Sequence, residues 1–187
     1  MRLAILLSGR GSNFQAIHEA VQNGTLDAEI VCVISNRPDA PGIEHGREFG
    51  YDTHVVNHKT FANRTAHETE VLRLLDAAQP DYIVLAGYMR LLSADFVARW
   101  RDRILNIHPS LLPSFPGVDA QAQAIAHGVK ISGCTVHFVN EQLDAGPIIL
   151  QRAVPVLDDD TAETLSARIL AEEHLAYVDA LKKLAAR

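Results

Sequence analysis

Cysteine is scarce in this sequence, because only Cys32 and Cys134 occur among the 187 residues. Both lie inside apolar runs of the kind that form strands. Small buried thiols in a reducing compartment fit this pattern, whereas a disulfide framework or a nucleophilic cysteine does not. We therefore expect a cytoplasmic protein.

Long apolar runs are lacking as well. The opening run, Leu3 to Leu7, is far too short to cross a membrane, and the polar, glycine-rich stretch that begins at Ser8 follows it directly. A membrane-spanning segment and a secretory signal are therefore both unexpected.

An excess of positive charge is also missing. The 17 lysines and arginines are outnumbered by 23 aspartates and glutamates, which gives a net charge of -6. This balance argues against nucleic acid or an anionic membrane as the main partner. A phosphorylated small molecule remains possible, because a few N–H groups aimed at one point suffice to bind a phosphate.

Several common catalytic and nucleotide-binding motifs are absent. The sequence has neither the Gly-x-Ser-x-Gly elbow of a hydrolase nor the Gly-Lys-Ser/Thr of a P-loop. The stretch Ser8–Asn13 is not a dinucleotide fingerprint, because Phe14 replaces the third glycine and no acidic residue ends the second strand at Asn36. A single phosphate on Ser8–Asn13 is better supported than NAD or ATP, and the alternative is a plain strand-to-helix turn. No Cys/His ligand pattern is present, and we predict no metal.

Apolar runs alternate with helical patterns through the first half of the chain. The order β-α-β-α-β-α-β-α-β predicts an α/β fold with a doubly wound, parallel sheet and right-handed crossovers. The expected strands are Leu3–Leu7, Ile30–Ile34, Thr53–Val56, Tyr82–Ala86 and Ile104–Ile107. The expected helices are Phe14–Val21, Pro41–Phe49, Thr65–Ala78 and Ser93–Trp100.

The pattern changes in the last third of the chain. A short helix over Ala120–His127 precedes two strand signals, Gly133–Val139 and Ile148–Val156. Their connection is too short for a crossover helix, so these late strands are expected to pair antiparallel. A C-terminal helix over Thr161–Leu184 follows. No linker interrupts the pattern, and we expect a single domain over residues 1–187.

Three stretches lie where expected parallel strands end: Ser8–Asn13, Gly87–Leu92 and Asn106–Gly117. In doubly wound sheets, ligands bind beyond the carboxyl ends of the strands, near the point where the strand order reverses. The stretch Gly87–Leu92 is apolar and carries one arginine, which suits a flat ring with a carboxylate tail. The alternative is that Met89 and Leu92 belong to the core while Arg90 is solvated.

Asn106 and His108 are the most informative pair. They alternate with Ile107, so on a strand their side chains point the same way. The proline-rich loop Pro109–Gly117 follows and stiffens the chain. An amide and an imidazole at a strand end suit a functional site, and the alternative is that His108 merely caps a turn.

Asp144 lies in a Gly-Pro turn and, taken alone, is typical of a turn-forming residue. His137, taken alone, is typical of a satisfied core histidine. Together with Asn106 and His108, however, Asp144 completes a set that suits acyl transfer without a covalent enzyme intermediate. The amide would donate to a developing oxyanion, the imidazole would move a proton between two nitrogens, and the carboxylate would hold the imidazole.

These motifs occur in the order in which they are found in one family. The chain resembles the folate-dependent phosphoribosylglycinamide formyltransferases in five stretches: Leu7–Asn13, Leu85–Arg90, Asn106–Pro113, Thr135–Val139 and Leu143–Gln151. The resemblance implies a formyltransferase-type, Rossmann-like fold. It implies transfer of a formyl group from 10-formyltetrahydrofolate, the co-substrate, to the amino group of 5'-phosphoribosylglycinamide (GAR). It further implies small-molecule partners only, no metal, and a monomer or homodimer.

The resemblance also implies roles for individual residues. Asn106, His108 and Asp144 match the catalytic trio. Gly11, Ser12 and Asn13 match the phosphate loop, and Glu173 matches a contact to the ribonucleotide. The folate cleft, near residues 85–92 and 140–146, is matched by Met89, Arg90, Leu91, Leu92 and Asn106, with Arg64 near the glutamate tail of the folate. One departure is the segment 118–123, which lacks the His and Arg found there in many relatives.

Three other functions compete with this interpretation. Transfer to methionyl-tRNA or a sugar nucleotide is disfavoured because Phe115-Pro116-Gly117 stands where the tRNA enzymes carry Arg-Gly-Ala and no RNA-binding domain is expected. Hydrolysis of 10-formyltetrahydrofolate is disfavoured because no N-terminal regulatory domain is expected. A non-catalytic nucleotide-binding module would have no use for the catalytic trio.

Overall fold

The computed structural model describes residues 1–186 and contains one seven-stranded sheet. The strands are β1 (Arg2–Leu7), β2 (Glu29–Ser35), β3 (Thr53–Val55), β4 (Tyr82–Leu85), β5 (Ile104–His108), β6 (Ile131–Phe138) and β7 (Ile148–Pro155). The helices are α1 (Ser12–Gln22), α2 (Pro41–Glu48), α3 (Arg64–Ala78), α4 (Ala94–Arg99), α5 (Ala120–His127) and α6 (Ala162–Ala185). A 3₁₀ turn at His58–Thr60 was not expected from the sequence.

The strand order is β3-β2-β1-β4-β5-β6-β7. The first five of these strands pair in parallel, and β6 and β7 pair antiparallel with their neighbours. The expected α/β fold, with a mostly parallel sheet, late antiparallel strands and a C-terminal helix, is thereby confirmed. The strands β2 and β3 are added on one side of β1, and β4 and the later strands are added on its other side. The strand order therefore reverses between β1 and β4, which is where a ligand site is expected in such a fold.

Both faces of the sheet are covered. In β1, Leu3, Ile5 and Leu7 pack on the face that carries α1, α2, α5 and α6, whereas Ala4 and Leu6 pack on the face that carries α3 and α4. Successive strand residues point to opposite faces, so a strand that is buried on both sides must be apolar throughout. This explains the unbroken apolar run that opens the sequence.

Two element boundaries differ from the expected ones for physical reasons. Helix α1 begins at Ser12 rather than Phe14, because polar residues in a first turn leave no trace in the apolar pattern. Strand β6 begins at Ile131, so Gly133 lies inside the strand and not at its start. A Cβ atom at Gly133 would lie 2.0 Å from the carbonyl oxygen of Arg152, so the neighbouring strand approaches too closely for any side chain there.

Helix α6 is anchored by hydrogen bonds to two central strands of the sheet, β4 and β5. The fully buried hydroxyl of Tyr177 donates to the carbonyl oxygens of Leu85 and Leu105, each at 3.0 Å. Leu85 is the last residue of β4, and Leu105 directly precedes Asn106 in β5. Within residues 1–186, none of the helices combines the length and apolarity that a membrane crossing requires.

Candidate active site

The three stretches singled out in the sequence meet at one edge of the sheet. They follow β1, β4 and β5, which are consecutive neighbours and run parallel. Ser8 connects the first two stretches directly. Its N–H donates to the Gly87 carbonyl at 3.0 Å, and its hydroxyl accepts from the Met89 N–H at 2.8 Å while it donates to Asn36 Oδ1 at 2.5 Å.

The glycine-rich stretch ends in a tight turn at the start of α1. Gly11 has φ 69°, in the left-handed region that favours glycine, and it precedes the helix. A Cβ atom there would lie 3.2 Å from Leu7 Cδ2 and 3.3 Å from the Gly42 Cα. The turn leaves the first N–H groups of α1, at Ser12 and Asn13, without partners in the helix, which is the usual arrangement for binding a phosphate.

Glu173 lies beside this turn although 160 residues separate it from Asn13. Asn13 Nδ2 donates to Glu173 Oε2 at 2.9 Å, and within residues 1–186 the buried Asn13 Oδ1 has no hydrogen-bond partner. The Glu173 side chain comes from α6 and the residue is only 9% exposed. Burial raises the pKa of the Glu173 carboxyl, and the hydrogen bond from Asn13 opposes that rise.

We expect Glu173→Gln to stabilise the protein increasingly as the pH rises. A carboxyl whose pKa is raised by folding stabilises the fold fully below its unfolded pKa, about 4.3. That stabilisation is lost as the pH rises through the raised folded-state pKa, because the buried group must then ionise. The amide of the variant keeps an acceptor for Asn13 and never ionises. Thermal denaturation from pH 4 to pH 8 measures the effect, since 1 kcal/mol shifts Tm by roughly 2–4 °C at this size.

The matched control for this experiment is the neighbouring Glu172, which is partly exposed and accepts from Arg152 at 3.0 Å. Glu172→Gln removes an ion-pair partner, so it should lower Tm slightly at neutral pH instead of raising it. A Tm difference between Glu173→Gln and the parent that stays constant from pH 4 to pH 8 would show that the buried charge is not the cause.

The stretch after β4 is divided between core and surface. Met89 and Leu91 are 77% and 67% exposed, so the alternative that Met89 is a core residue is wrong. Leu92 and Tyr88 are partly buried and pack against the core on the α3 and α4 side of the sheet. The side chains of Met89 and Leu91 are therefore accessible from solvent. Arg64, the first residue of α3, is exposed.

The connection between β6 and β7 also lies near an open cleft. A cleft of about 460 Å³ is lined by residues of α4, of the turn after it and of this connection: Val97, Ala98, Arg101, Asp102, Val139, Asn140, Glu141, Gln142 and Pro147. A second cleft of about 470 Å³ lies near the start of β1 and β2, and neither lining includes Asn106, His108 or Asp144. Because the two clefts have similar volumes, volume does not identify the site. The carboxyl ends of the parallel strands are the better guide to its position.

Asn106, His108, Asp144 and His137 form one polar cluster. His108 Nδ1 lies 3.4 Å from Asp144 Oδ2, and His137 Nε2 lies 4.0 Å from Asp144 Oδ1. Asn106 Nδ2 lies 3.4 Å from His137 Nε2. The structure thus brings the three predicted catalytic residues together from two separate parts of the chain and adds a fourth residue.

The hydrogen bonds of His108 determine which ring nitrogen carries a fixed proton. Its Nε2 lies 2.9 Å from the carbonyl oxygen of Phe115, and a carbonyl only accepts, so Nε2 carries the hydrogen. The nitrogen that faces Asp144 is Nδ1, and this is the position at which the ring can gain or lose a proton without breaking the bond to Phe115. Phe115 itself has φ 54°, an uncommon conformation for a residue with a side chain.

His137 is the residue that sequence reasoning missed. Asn106 and His137 are direct partners across the antiparallel pair of β5 and β6, so their side chains lie on the same face. Burial lowers the pKa of His137, although the Phe138 carbonyl and the Asp144 carboxylate oppose the effect. His137 Nδ1 lies 2.9 Å from that carbonyl and so carries the hydrogen, which leaves Nε2 free to accept from Asn106.

Asp144 joins the two loops that surround the cluster. Its Oδ2 accepts from the Gly117 N–H at 2.8 Å, so the proline-rich loop after β5 is tied to the connection between β6 and β7. Asp144 has φ 50°, which an aspartate tolerates better than most residues. Gly146 allows this connection to lie against β6, since a Cβ atom there would be 1.7 Å from the carbonyl oxygen of Phe138.

The remaining titratable side chains do not form a metal centre in the described chain. Across residues 1–186, no group of three or more His, Cys, Asp or Glu side chains is placed to hold a metal ion. His54 and His58 are four residues apart in the sequence, but His54 pairs with Asp52 and His58 with Asn36. Burial raises the pKa of both cysteine thiols to about 12, so neither is a reactive thiolate.

Comparison with known proteins gives consistent matches over nearly the whole chain. Residues 1–181 match the family described as formyl transferase. The phosphoribosylglycinamide formyltransferase of Escherichia coli (strain K12) is 42% identical over 177 residues, which cover 95% of this chain and 84% of that protein. The crystal structure of phosphoribosylglycinamide formyltransferase from Brucella melitensis superimposes with a TM-score of 0.94 at 52% identity, covering 100% of this chain and 96% of that one.

Some relatives are much longer than this chain. The trifunctional purine biosynthetic protein adenosine-3 of Drosophila melanogaster is 49% identical over 185 residues. The match covers 98% of this chain but only 14% of the Drosophila protein.

Proposed function

Because this chain belongs to the formyl transferase family, we propose that it transfers a formyl group from 10-formyltetrahydrofolate to the amino group of GAR, a step of purine biosynthesis. The observation that carries the proposal is the cluster of Asn106, His108 and Asp144. It lies on the same sheet edge as the phosphate turn after β1 and the exposed apolar segment after β4. We also propose that residues 1–187 act as one formyltransferase domain.

The ribonucleotide binds on the side of the site formed by α1 and α6. Its phosphate accepts hydrogen bonds from the N–H groups of Gly11, Ser12 and Asn13. Glu173 contacts the ribose, and its position beside the first turn of α1 supports this role, because its carboxyl oxygens can accept hydrogen bonds from the ribose hydroxyl groups. The buried Oδ1 of Asn13, for which residues 1–186 supply no hydrogen-bond partner, is a further acceptor at the same position.

The folate binds on the other side of the cluster. Its ring system lies against the segment Met89–Leu92 and the connection over residues 140–146. Arg64 pairs with the glutamate tail. The exposure of Met89, Leu91 and Leu143 supports this placement, because an apolar ligand would cover side chains that otherwise remain in water.

The reaction proceeds by direct attack of the neutral GAR amine on the formyl carbon. Asn106 donates an N–H to the oxygen as negative charge develops on it, and His137 holds the amide of Asn106 in place. His108 Nδ1 and Asp144 take up the proton that the attacking amine loses. His108, or a water that it holds, delivers a proton to the folate nitrogen as the bond to the formyl carbon breaks. No metal takes part in these steps.

The geometry refines the proton transfer within this scheme. The Nε2 N–H of His108 is hydrogen-bonded to the Phe115 carbonyl oxygen. Proton exchange between the amine, the imidazole and the carboxylate therefore runs through Nδ1, which faces Asp144. The carboxylate stabilises the positive imidazole that forms when the proton arrives. The separation of 3.4 Å is long for a hydrogen bond, and catalytic contacts of this kind often tighten only when substrates are bound.

A single assay tests the proposed function against its rivals. The protein is incubated with 10-formyltetrahydrofolate, with and without GAR, and the release of tetrahydrofolate is followed. Release that requires GAR supports formyl transfer to that acceptor. Release without GAR indicates a hydrolase, and no release in either case contradicts catalysis with these substrates. Formyl-GAR is quantified in the same samples to confirm that the formyl group reaches the acceptor.

A further inference from the structure

Glu68 is a buried carboxylate for which the proposed reaction has no direct use. It lies in the second turn of α3 and is 6% exposed. Its Oε1 accepts from the Ser93 N–H at 2.9 Å, and its Oε2 accepts from the Ser93 hydroxyl. A carboxylate is costly to bury, so one that accepts two hydrogen bonds from a single residue 25 positions away fixes that residue firmly.

The two ends of this contact belong to the two parts of the proposed folate site. Arg64 is one helical turn before Glu68 on α3, so the two side chains lie on the same side of the helix. Ser93 directly follows the segment Met89–Leu92. The Glu68 carboxylate is therefore the polar link between the helix that starts with Arg64 and the segment that faces the ring.

Packing around the link makes it short and rigid. Tyr88 and Leu92 pack against the same core as Val71, which is one turn after Glu68 on α3. Ser93 also accepts from the Phe96 N–H at 3.2 Å and so caps α4. Capping alone would not require Glu68, because the serine hydroxyl satisfies the helix without it.

We propose that Glu68 is a positioning residue that sets the distance between Arg64 and the segment Met89–Leu92, and thereby the affinity for a folate that contacts both. This inference rests on the proposed folate donor. A ligand that spans two contacts gains from both only when their spacing is correct. Loss of the link lets the start of α3 move relative to the segment, which weakens the contact with the glutamate tail and leaves the ring contact intact.

The test compares two formyl donors with the intact protein. Glu68→Ala is assayed with 10-formyltetrahydrofolate and with 10-formyltetrahydropteroate, which lacks the glutamate. We expect the KM for the folate to rise roughly tenfold or more, as loss of charge-assisted hydrogen bonds typically gives. The KM for the pteroate donor and the KM for GAR should stay within about threefold of the parent, and kcat should change little.

Two further variants distinguish positioning from general damage. Glu68→Gln keeps one good acceptor for Ser93, so its KM for the folate should lie between those of the parent and Glu68→Ala. Glu70→Ala is the matched control, because Glu70 lies on the same helix and pairs with Arg73 at the surface. The KM values of Glu70→Ala for both formyl donors should equal those of the parent.

Each outcome either supports or overturns the role proposed for Glu68. A rise of KM for the folate alone supports the proposal. Equal rises for both donors mean that Glu68 maintains the ring site itself, and no rise for either means that the link has no role in binding, so both results overturn it. If the parent protein transfers no formyl group from 10-formyltetrahydrofolate, the proposed function fails first, and that failure is visible before any variant is made.

Discussion

Replacing Asn106 with alanine is expected to lower turnover by about 10²–10³-fold, the usual cost of removing one donor to a developing oxyanion. Asn106 is the middle residue of β5, and its Nδ2 is 3.4 Å from His137 Nε2. With one N–H directed at His137, the second N–H of the amide is available for the reacting oxygen. Single-turnover rates at saturating GAR and folate measure the loss on the chemical step.

Three variants show whether the donor or the shape of Asn106 is responsible. Asn106→Asp keeps the size of the side chain but removes the N–H groups and places negative charge beside the oxyanion, so it should be at least as inactive as Asn106→Ala. The control Asn23→Ala alters an exposed residue at the end of α1, far from β5, and should retain full turnover. Turnover of Asn106→Ala within a few-fold of the parent would contradict the assignment of Asn106 as an oxyanion donor.

The fold was predictable because its strands are buried on both faces. In β1, alternate residues pack on opposite layers of helices, so the whole strand is apolar and easy to recognise. Alternation of such strands with helices then leaves few topologies, and all of these place the carboxyl ends of the parallel strands together. The location of Ser8–Asn13, Gly87–Leu92 and Asn106–Gly117 at one edge followed from this reasoning alone.

His137 could not be assigned to the site from its sequence context, although it lies in it. Its neighbours are apolar, and a histidine among apolar strand residues is usually part of a core. What places it beside Asn106 is the register between β5 and β6, which a local pattern does not reveal. Alternation along a strand does predict that Thr135 and His137 point to the same face of the sheet. It does not predict that this face includes Asn106.

Contacts between residues that are distant in the sequence were the hardest to predict. The hydrogen bond from Asn13 to Glu173 joins the first turn of α1 to the middle of α6, and no spacing in the sequence predicts it. Glu173 entered the list of site residues only through the resemblance to a family. Glu68 was not singled out at all, because a glutamate in a helix is normally a solvated residue.

His108 and Asp144 are expected to act as one unit, and each replacement should lower transfer by about 10²–10⁴-fold, the typical contribution of general acid–base catalysis. Asp144→Asn is the more informative change. Its side-chain oxygen still accepts from the Gly117 N–H, so the two loops remain joined while the negative charge beside His108 is lost. Asp144→Ala removes both the charge and this hydrogen bond. Equal losses for the two variants would assign the effect to the charge, and a much larger loss for the alanine would assign part of it to the loop.

The combination of His108→Ala with Asp144→Asn tests the proton-transfer scheme most directly. If protons pass between His108 Nδ1 and the carboxylate, the second replacement costs little once the first is made, and the double variant resembles the worse single one. Independent roles would multiply the two losses instead. Asp119→Asn is the matched control and should keep full activity. Asp119 is another loop aspartate with positive φ, but it is exposed and, within residues 1–186, forms no hydrogen bond or ion pair with the cluster. GAR binding, measured by calorimetry, should survive in every variant, because the phosphate turn lies at the end of a different strand. Loss of GAR binding would mean that His108 and Asp144 hold the site together and do not carry the proton.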